Sequence, residues 1–227
     1  MLTANLYLGQ ADDQVVGAAA EQGADILAVE ELTPTAAQRL SVRLARSFPY
    51  QVIDARGGAG GVGLWSRFPL LESRRIPGYQ MAMISTRLQI PGTADPTVLV
   101  AHISGPWPQP INDWQRDLQR LGGQMRDLAT ADQDGAVMVM GDFNSTVDMR
   151  PFRQVMEGGY QDAAEQAGTG TVATYPGNSS IPPIIGIDHV ITYRCTAISV
   201  STVRLPGSDH RGLMATLELP RTSARGS

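Results

Sequence analysis

Residues 137–146 read VMVMGDFNST, an apolar run that ends in a carboxylate, an aromatic ring, a carboxamide and two hydroxyls. The apolar residues before Gly141 predict a buried strand. Polar side chains at the end of such a strand are costly unless they are paired or bind something. Asp142 and Asn144 are two positions apart, so an extended backbone would direct both to one face and turn Phe143 into the core. We therefore expect a functional site at this strand end.

Polar residues interrupt other predicted strand ends in the same way. Taken singly, each has an ordinary explanation, such as a cap, an Asx turn or a structural histidine. All three histidines of the chain fall in or beside these positions, which is unusual for scattered structural residues. The positions are Asn5 in TANLYL, Glu31 in ILAVEEL, His102 in VLVAHI, Asp188 in GIDHV, and Asp209 and His210 in GSDHRGL. We interpret these positions as parts of one site.

The chemistry of this set favours a hard metal ion. Carboxylates and an amide oxygen without thiolates suit Mg²⁺, for which Mn²⁺ is an expected substitute. The single cysteine, Cys195, belongs to no zinc-binding spacing and is expected in the core. Histidines near a metal can transfer protons near neutral pH. The combination predicts metal-assisted hydrolysis of a phosphoester.

Composition bounds the class of protein. With 227 residues, 42% of them hydrophobic, we expect one domain over residues 1–219 and a disordered tail over 220–227. The net charge of -4 disfavours nucleic acid as a partner without excluding it. The sequence says nothing about the oligomeric state.

The start of the chain raises the question of a membrane anchor. No window has the 18 or more apolar residues of a membrane span, so these 227 residues are expected to be soluble. The first strand begins at Leu2 with almost nothing before it. We therefore expect that a membrane segment or export signal precedes it in a longer bacterial protein, with this domain outside the cytoplasm.

The order of predicted elements indicates an α/β fold. Helices are predicted from Ala11 to Gln22, ending at Gly23, and from Thr33-Pro34 to about Phe48. Strand-like runs in the middle, at 61–76, 81–90 and 96–103, predict mostly antiparallel neighbours. A long helix over 112–131, a short helix over 149–157 and three late strands at 186–193, 198–205 and 211–219 complete the pattern.

The glycine-rich GGAGGVG at 57–63 resembles a phosphate-binding loop only superficially. It lacks the Lys-Ser/Thr pair that ends a Walker loop, and no helix pattern follows it. We interpret it as a flexible hairpin turn.

The ordered motifs, from NLYLG near the start through ILAVEE, GDFN and IDHV to SDHRG, resemble the endonuclease/exonuclease/phosphatase superfamily of DNase-like enzymes. The resemblance implies a four-layer α/β/β/α sandwich of two mixed sheets flanked by helices. A branch in actinobacteria joins such a domain to an N-terminal membrane segment, and the short start of this chain fits that branch.

The resemblance also implies roles for individual residues. Glu31 corresponds to the principal Mg²⁺ ligand, helped by Asn5 and Asp209, while Glu30 stands where the family often has glutamine. Because neighbours on a strand face opposite sides, we expect only Glu31 to reach the metal. The implied catalytic residues are His102, Asp142, Asn144, Asp188 and His210, with Asn144 also holding the substrate phosphate. Apart from the resemblance, Arg211 is the basic residue best placed by sequence to contact that phosphate, because it follows His210.

The implied reaction is in-line attack of water on phosphorus with Mg²⁺ offsetting the developing charge. A small or lipid-linked phosphate or pyrophosphate is the expected substrate. The segment SGPWPQPINDW after His102 is either a rigid surface turn or a wall that contacts substrate or lipid. Two alternatives remain: a DNA or RNA endonuclease, and a binding domain that has lost its activity.

Overall fold

The computed structural model describes residues 1–131, 134–178 and 180–222. Within these ranges the chain folds into two six-stranded mixed sheets that pack face to face, with helices on both outer faces. The predicted four-layer sandwich is confirmed. None of the helices in these ranges combines the length and apolar character needed to cross a membrane.

The first sheet joins both ends of the chain. Its two central neighbours β1 (Leu2–Asn5) and β2 (Ile26–Glu30) are parallel, and the other pairs are antiparallel. In spatial order the strands are β11 (Thr196–Arg204), β12 (Arg211–Glu218), β1, β2, β4 (Val62–Ser66) and β3 (Tyr50–Asp54).

The second sheet is built from the middle of the chain. Here β7 (Thr97–His102) and β8 (Val137–Asp142) form the parallel pair. In spatial order the strands are β5 (Leu70–Arg75), β6 (Met83–Leu88), β7, β8, β10 (Asp188–Tyr193) and β9 (Gln161–Asp162).

The helices cover the outer faces of the two sheets. Helix α1 (Asp13–Gly23) begins at an Asp12 cap, and α2 (Pro34–Leu44) begins at a Thr33 cap and ends before the predicted Phe48. These two pack on the first sheet. Helices α3 (Ile111–Ala131) and α4 (Arg150–Val155) pack on the second sheet, and α5 (Ala163–Gln166) follows β9.

The Gly122-Gly123 pair does not end α3, although two glycines weaken a helix. A Cβ at Gly122 would lie 3.6 Å from the Cα of Val155 in α4. The small residue thus permits a close approach of α3 to α4, and packing offsets the low intrinsic helix propensity.

The alternation of side chains along β2 determines which residues face the second sheet and which face the helices. Ala28 faces the core between the sheets, whereas Leu27 and Val29 face the helices. Because the period of a strand is two, the next residue, Glu30, follows Ala28 into the space between the sheets.

Two local expectations were wrong. The strand-like run at 61–76 is two strands in different sheets, β4 and β5, separated at Phe68-Pro69, where proline interrupts sheet pairing. No strand was assigned to residues 50–54, where β3 lies. Within the segment expected as a tail, Arg221 pairs with Thr93 and the Thr222 N–H donates to the Gly92 carbonyl, and residues 223–227 lie outside the described residues.

Candidate active site

The polar strand ends converge on one buried oxygen, Oδ2 of Asp142. The Asn5 Nδ2 donates to it at 2.9 Å. The Nε2 atoms of His102 and His210 each lie 3.7 Å from the same oxygen. Asp142 itself is only 1% exposed. Groups from both sheets therefore meet at the carboxylate whose motif opens the sequence.

Strand register explains why these residues meet. His102 in β7 and Asp188 in β10 flank Asp142 at the same level of the second sheet. Gly141 precedes Asp142 with a φ of +143°, and a Cβ there would lie 1.9 Å from the Ala101 carbonyl oxygen. Only glycine fits this close approach, which accounts for the glycine of the GDFN motif.

The exit of β8 differs from the expected extended backbone. Asn144 has a φ of +46°, and its N–H donates to Asp142 Oδ1 at 2.8 Å, as in an Asx turn. The Asn144 amide Nδ2 donates to the Ile103 carbonyl at 2.9 Å. Phe143 is fully buried in the helix-side core, as predicted. Asp142 therefore stabilises the turn with Oδ1 and faces the other side chains of the cleft with Oδ2.

His210 and Asp188 form a buried pair. The His210 Nδ1–H donates to Asp188 Oδ2 at 2.8 Å, which leaves Nε2 directed toward Asp142. Although burial alone would lower the pKa of His210, the charges of Asp188 and Asp142 raise it to about 10. The imidazole is therefore protonated at neutral pH in this environment. Burial, in turn, raises the pKa of Asp142.

Ser208, which was not predicted as a site residue, stabilises the backbone that leads to His210. The buried Ser208 Oγ accepts the His210 N–H at 2.9 Å and donates to the Asn5 carbonyl at 2.7 Å. Ser208 thus ties the His210 loop to the strand end that carries Asn5. Its neighbours in SDHRG were the only sequence signal.

His102 has a different partner. Its Nδ1 lies 3.1 Å from the backbone carbonyl oxygen of Ala59, in the glycine-rich turn between β3 and β4. The turn joins the antiparallel strands β3 and β4, so its interpretation as a hairpin turn is confirmed. No property of the sequence indicated that this turn touches the site.

Glu31 reaches the cleft through a left-handed backbone. Its φ of +54° breaks the strand alternation, and its Oε2 accepts the Leu8 N–H at 2.7 Å. Its Oε1 lies 3.3 Å from Asn5 Nδ2, so Asn5 joins Glu31 to Asp142. Since the Asn5 Oδ1 accepts the Tyr7 N–H at 2.9 Å, the amide turns its nitrogen, not its oxygen, to both carboxylates. In this orientation Asn5 Oδ1, the atom that could bind a metal, points away from Glu31 and Asp142.

Glu30 also lies near the site, although only Glu31 was expected to reach the metal. It is fully buried, and its Oε1 accepts the Thr3 hydroxyl at 2.8 Å. Burial and the charge of Asp188 raise its pKa well above the usual range. Both glutamates therefore lie near the cleft, Glu30 beneath it between the sheets and Glu31 at its edge.

Asp209 and Arg211 flank His210 with atoms that lack partners. Among the described residues, Asp209 Oδ1 and Arg211 Nε are buried without a hydrogen bond. The pKa of Asp209 is raised, first by burial and also by the charge of Glu31, while His210 opposes the shift. Asp209 is therefore electrostatically close to Glu31.

Three side chains in the cleft are close enough together to bind one metal ion without any movement. Ligand atoms of Asp142, Asp188 and His210 all lie within 4.8 Å of one another. Sequence reasoning assigned these three to catalysis and the metal to Asn5, Glu31 and Asp209. Among the described residues, Asp142, Asp188 and His210 form the only cluster of three or more carboxylate, histidine or cysteine ligands with this spacing.

The third histidine does not belong to the site. His189 faces the opposite side of β10, where its Nδ1 lies 2.7 Å from Asp162 Oδ2 and its Nε2 lies 2.8 Å from the Ser145 carbonyl oxygen. His189 counted toward the pattern of histidines beside acidic strand ends, but it takes no part in the site. Its position next to Asp188 on a strand was the signal, because adjacent side chains point to opposite faces.

The segment 104–114 borders the cleft. A Cβ at Gly105 would lie 3.4 Å from Asn144 Oδ1. Trp107 is 85% exposed, whereas Trp114 is buried and donates to Ser145 Oγ at 3.0 Å. One tryptophan therefore anchors the segment, and the other stands in solvent near the site.

Known proteins share this fold over nearly its whole length. D. rerio TDP2, solved with a single-strand DNA product, has a TM-score of 0.77 at 19% identity, covering 96% of this chain and 97% of its own. An endonuclease/exonuclease/phosphatase from Bacteroides vulgatus has a TM-score of 0.74 at 17% identity, covering 96% and 98%. A Bacteroides thetaiotaomicron mannosyl-6-phosphatase has a TM-score of 0.72 at 14% identity, covering 96% and 98%.

Sequence comparison gives the family. A search of the curated proteins finds no match. The model of the Endonuclease/Exonuclease/phosphatase family matches residues 2–210, a span that includes each of the cleft residues from Asn5 to His210. The chain belongs to the endonuclease/exonuclease/phosphatase family of metal-dependent phosphoesterases.

Proposed function

We propose that the protein hydrolyses a phosphate ester of a small molecule, using Mg²⁺ and direct attack of water on phosphorus. The observation that carries this proposal is the convergence of Asn5 Nδ2, His102 Nε2 and His210 Nε2 on Asp142 Oδ2. Such an arrangement supplies a proton acceptor and two proton-carrying rings within a few ångströms.

His210 is the proposed donor to the phosphoryl group. Its Nδ1–H is occupied by Asp188, so its Nε2–H is the atom available to the cleft. A pKa of about 10 keeps the ring charged at neutral pH, where it stabilises negative charge on a phosphoryl oxygen. Asp188 orients the ring and favours its charged form.

Asp142 and Asn144 are proposed to orient the attacking water. Asp142 Oδ2 is a hydrogen-bond acceptor that already has a donor in Asn5. Asn144 is held beside it by the turn and by the Ile103 carbonyl. His102 is proposed to assist the leaving oxygen, and Arg211, whose buried Nε lacks a partner among the described residues, to contact the phosphate.

Glu31 and Asp209 are the proposed metal ligands, supported by Asn5. Their chemistry fits Mg²⁺, because it prefers oxygen ligands and an unpartnered buried carboxylate oxygen is costly without a cation. Burial raises the pKa of Asp209 and the charge of Glu31 adds to the shift, which agrees with two carboxylates that would share a cation. The Asp142–Asp188–His210 cluster is less suited to Mg²⁺, because one of its three ligands is an imidazole nitrogen and Mg²⁺ prefers oxygen ligands. When bound, Mg²⁺ would offset the negative charge that develops on the phosphoryl oxygens.

A substrate panel tests the proposal. The purified protein is incubated in Mg²⁺ with p-nitrophenyl phosphate, bis-p-nitrophenyl phosphate, a sugar phosphate, a nucleoside diphosphate and single-stranded DNA. We expect turnover of one of the small phosphate esters that EDTA abolishes and Mg²⁺ or Mn²⁺ restores. Preferential cleavage of DNA would instead favour the nuclease alternative, and no turnover of any substrate would overturn the enzymatic proposal.

A further inference from the structure

We propose that the glycine-rich loop between β3 and β4, residues 55–61, is a positioning element that fixes the tautomer of His102 for the reaction proposed above. The loop presents the Ala59 carbonyl oxygen 3.1 Å from His102 Nδ1. A carbonyl oxygen only accepts hydrogen bonds, so the neutral ring must carry its proton on Nδ1 to make this contact. Nε2 is then left to the cleft, on the side of Asp142.

The loop is held on two sides of Ala59, which makes its carbonyl a fixed acceptor. The Ala82 N–H donates to the Gly60 carbonyl at 2.7 Å, and the Leu32 N–H donates to the Gly61 carbonyl at 3.0 Å. The Arg56 N–H donates back to the Leu32 carbonyl at 3.1 Å. Three hydrogen bonds thus fasten the loop to the segment that follows Glu31 and to the start of β6.

Gly61 explains why a glycine is required in this loop. A Cβ at Gly61 would lie 2.1 Å from the Leu32 carbonyl oxygen and 2.5 Å from the Arg56 nitrogen. Both neighbours are backbone atoms, so a side chain there forces the loop away from the Leu32 segment. Gly57, in contrast, has open space around it and a backbone outside the left-handed region.

The two cleft histidines therefore differ in what sets their tautomer. His210 depends on a carboxylate, Asp188, which also favours the charged ring. His102 depends on an uncharged carbonyl, which fixes the proton on Nδ1 without adding a negative charge. With its proton on Nδ1, His102 directs Nε2 into the cleft, and in the protonated ring Nε2–H is the group that donates to the leaving oxygen.

The direct test is the tautomer of His102 in the wild-type protein, measured by long-range ¹H–¹⁵N correlation spectra with ¹⁵N-labelled histidine. His102→Gln identifies the resonance. We expect a pyrrole-type Nδ1 and a pyridine-type Nε2 when the ring is neutral. The opposite tautomer, with the proton on Nε2, overturns the proposal.

Variants of the loop test whether it is the cause. In Gly61→Ala we expect a mixture of tautomers and a kcat about tenfold lower, with KM within about twofold of wild type. The matched control Gly57→Ala should retain both the tautomer and kcat. If Gly61→Ala fails to fold, Gly58→Ala is the milder change, since Gly58 has a φ of +66° and open space around it. Wild-type tautomer and kcat in a folded Gly61→Ala or Gly58→Ala protein would refute the role of the loop.

The readouts separate this proposal from the proposed function on which it rests. A wild-type protein that turns over no phosphoester refutes the function, while the spectra still decide whether the loop fixes the ring. Conversely, an active enzyme with His102 protonated on Nε2 refutes the loop proposal alone.

Discussion

Two buried histidine–carboxylate pairs lie back to back across strand β10. In the cleft, His210 Nδ1 meets Asp188 Oδ2 at 2.8 Å; behind the sheet, His189 Nδ1 meets Asp162 Oδ2 at 2.7 Å. The pairs differ at the second ring nitrogen. His210 Nε2 faces the Asp142 carboxylate across 3.7 Å, whereas His189 Nε2 lies 2.8 Å from the Ser145 carbonyl. A pair of this kind is available for chemistry only when one nitrogen remains uncommitted.

The pair behind the sheet, His189 and Asp162, has a structural role. Asp162 also accepts the N–H groups of Ala164 and Glu165, so it caps helix α5. The His189 ring packs against Phe152 with centroids 4.4 Å apart. His189 therefore links α5, strand β10 and the turn at Ser145, where both of its nitrogens are used.

The largest expected effect comes from the cleft pair. His210→Gln should lower kcat by about 10³-fold, or about 4 kcal/mol in activation free energy, because it removes the charged donor to the phosphoryl group. Steady-state kinetics in Mg²⁺ measure the loss, and thermal unfolding checks that Tm changes little. A fall in Tm large enough to account for the lost activity would assign His210 a structural role.

His189→Gln should lower stability and leave catalysis nearly unchanged. It leaves the buried Asp162 with one partner fewer and should lower the free energy of unfolding by about 3 kcal/mol, or Tm by about 6–12 °C. Below the new transition, kcat should stay within about threefold of wild type. Denaturant unfolding and kinetics on the same preparation separate the two readouts, and a kcat as low as that of His210→Gln would contradict the distinction.

The pair behind the sheet also predicts a pH dependence of stability. Burial opposes both charges, yet the contact with His189 holds the pKa of Asp162 below its usual value, and the contact with Asp162 raises that of His189. The His189 contribution is full below its unfolded pKa of about 6.5 and is lost as pH rises through the folded value. The Asp162 contribution is full above about 3.9 and is lost as pH falls through its folded value.

The measurement is the difference in unfolding free energy between wild type and His189→Gln from pH 4 to pH 9. It should be largest at about pH 4–6.5 and decrease at higher pH. A difference that grows from pH 6.5 to pH 9 would show that the pair is not charged in the folded state.

The smallest effect is expected at Ser208, which supports only the cleft pair. Ser208→Ala removes the hydrogen bonds to the His210 N–H and the Asn5 carbonyl and should lower stability by about 1 kcal/mol. Because the loop then holds His210 less tightly, kcat should fall by about three- to tenfold. Ser201→Ala, on an exposed position of β11, is the matched control and should leave both quantities unchanged.

The sequence was sufficient to predict the four-layer fold and most of the residues that line the cleft. Apolar periodicity identified helix α1, and the cap at Thr33 with Pro34 identified α2. The ordered motifs identified Asp142, Asp188 and His210, and the polar end of a strand identified His102. These features depend on side-chain type and local spacing, which a sequence contains. The opposite orientation of His189 was also predictable, since it follows Asp188 on one strand.

The remaining features depend on backbone geometry that side-chain type does not specify. Left-handed residues at Glu31 and Asn144 redirect side chains that strict alternation would place elsewhere. The partner of His102 is the carbonyl of Ala59, a backbone group from a distant loop. Such contacts are set by tertiary packing, so no local pattern indicates them.

The central claim is that phosphoester hydrolysis takes place at Asp142, and one comparison tests it most directly. Phosphate-ester turnover is measured for wild type in Mg²⁺, for wild type in EDTA, and for Asp142→Asn, which retains the size of the side chain but removes its charge. We expect turnover by wild type in Mg²⁺, none in EDTA, and a kcat at least about 10³-fold lower in a folded Asp142→Asn protein. Wild-type turnover in Asp142→Asn, or full activity in EDTA, would contradict the account.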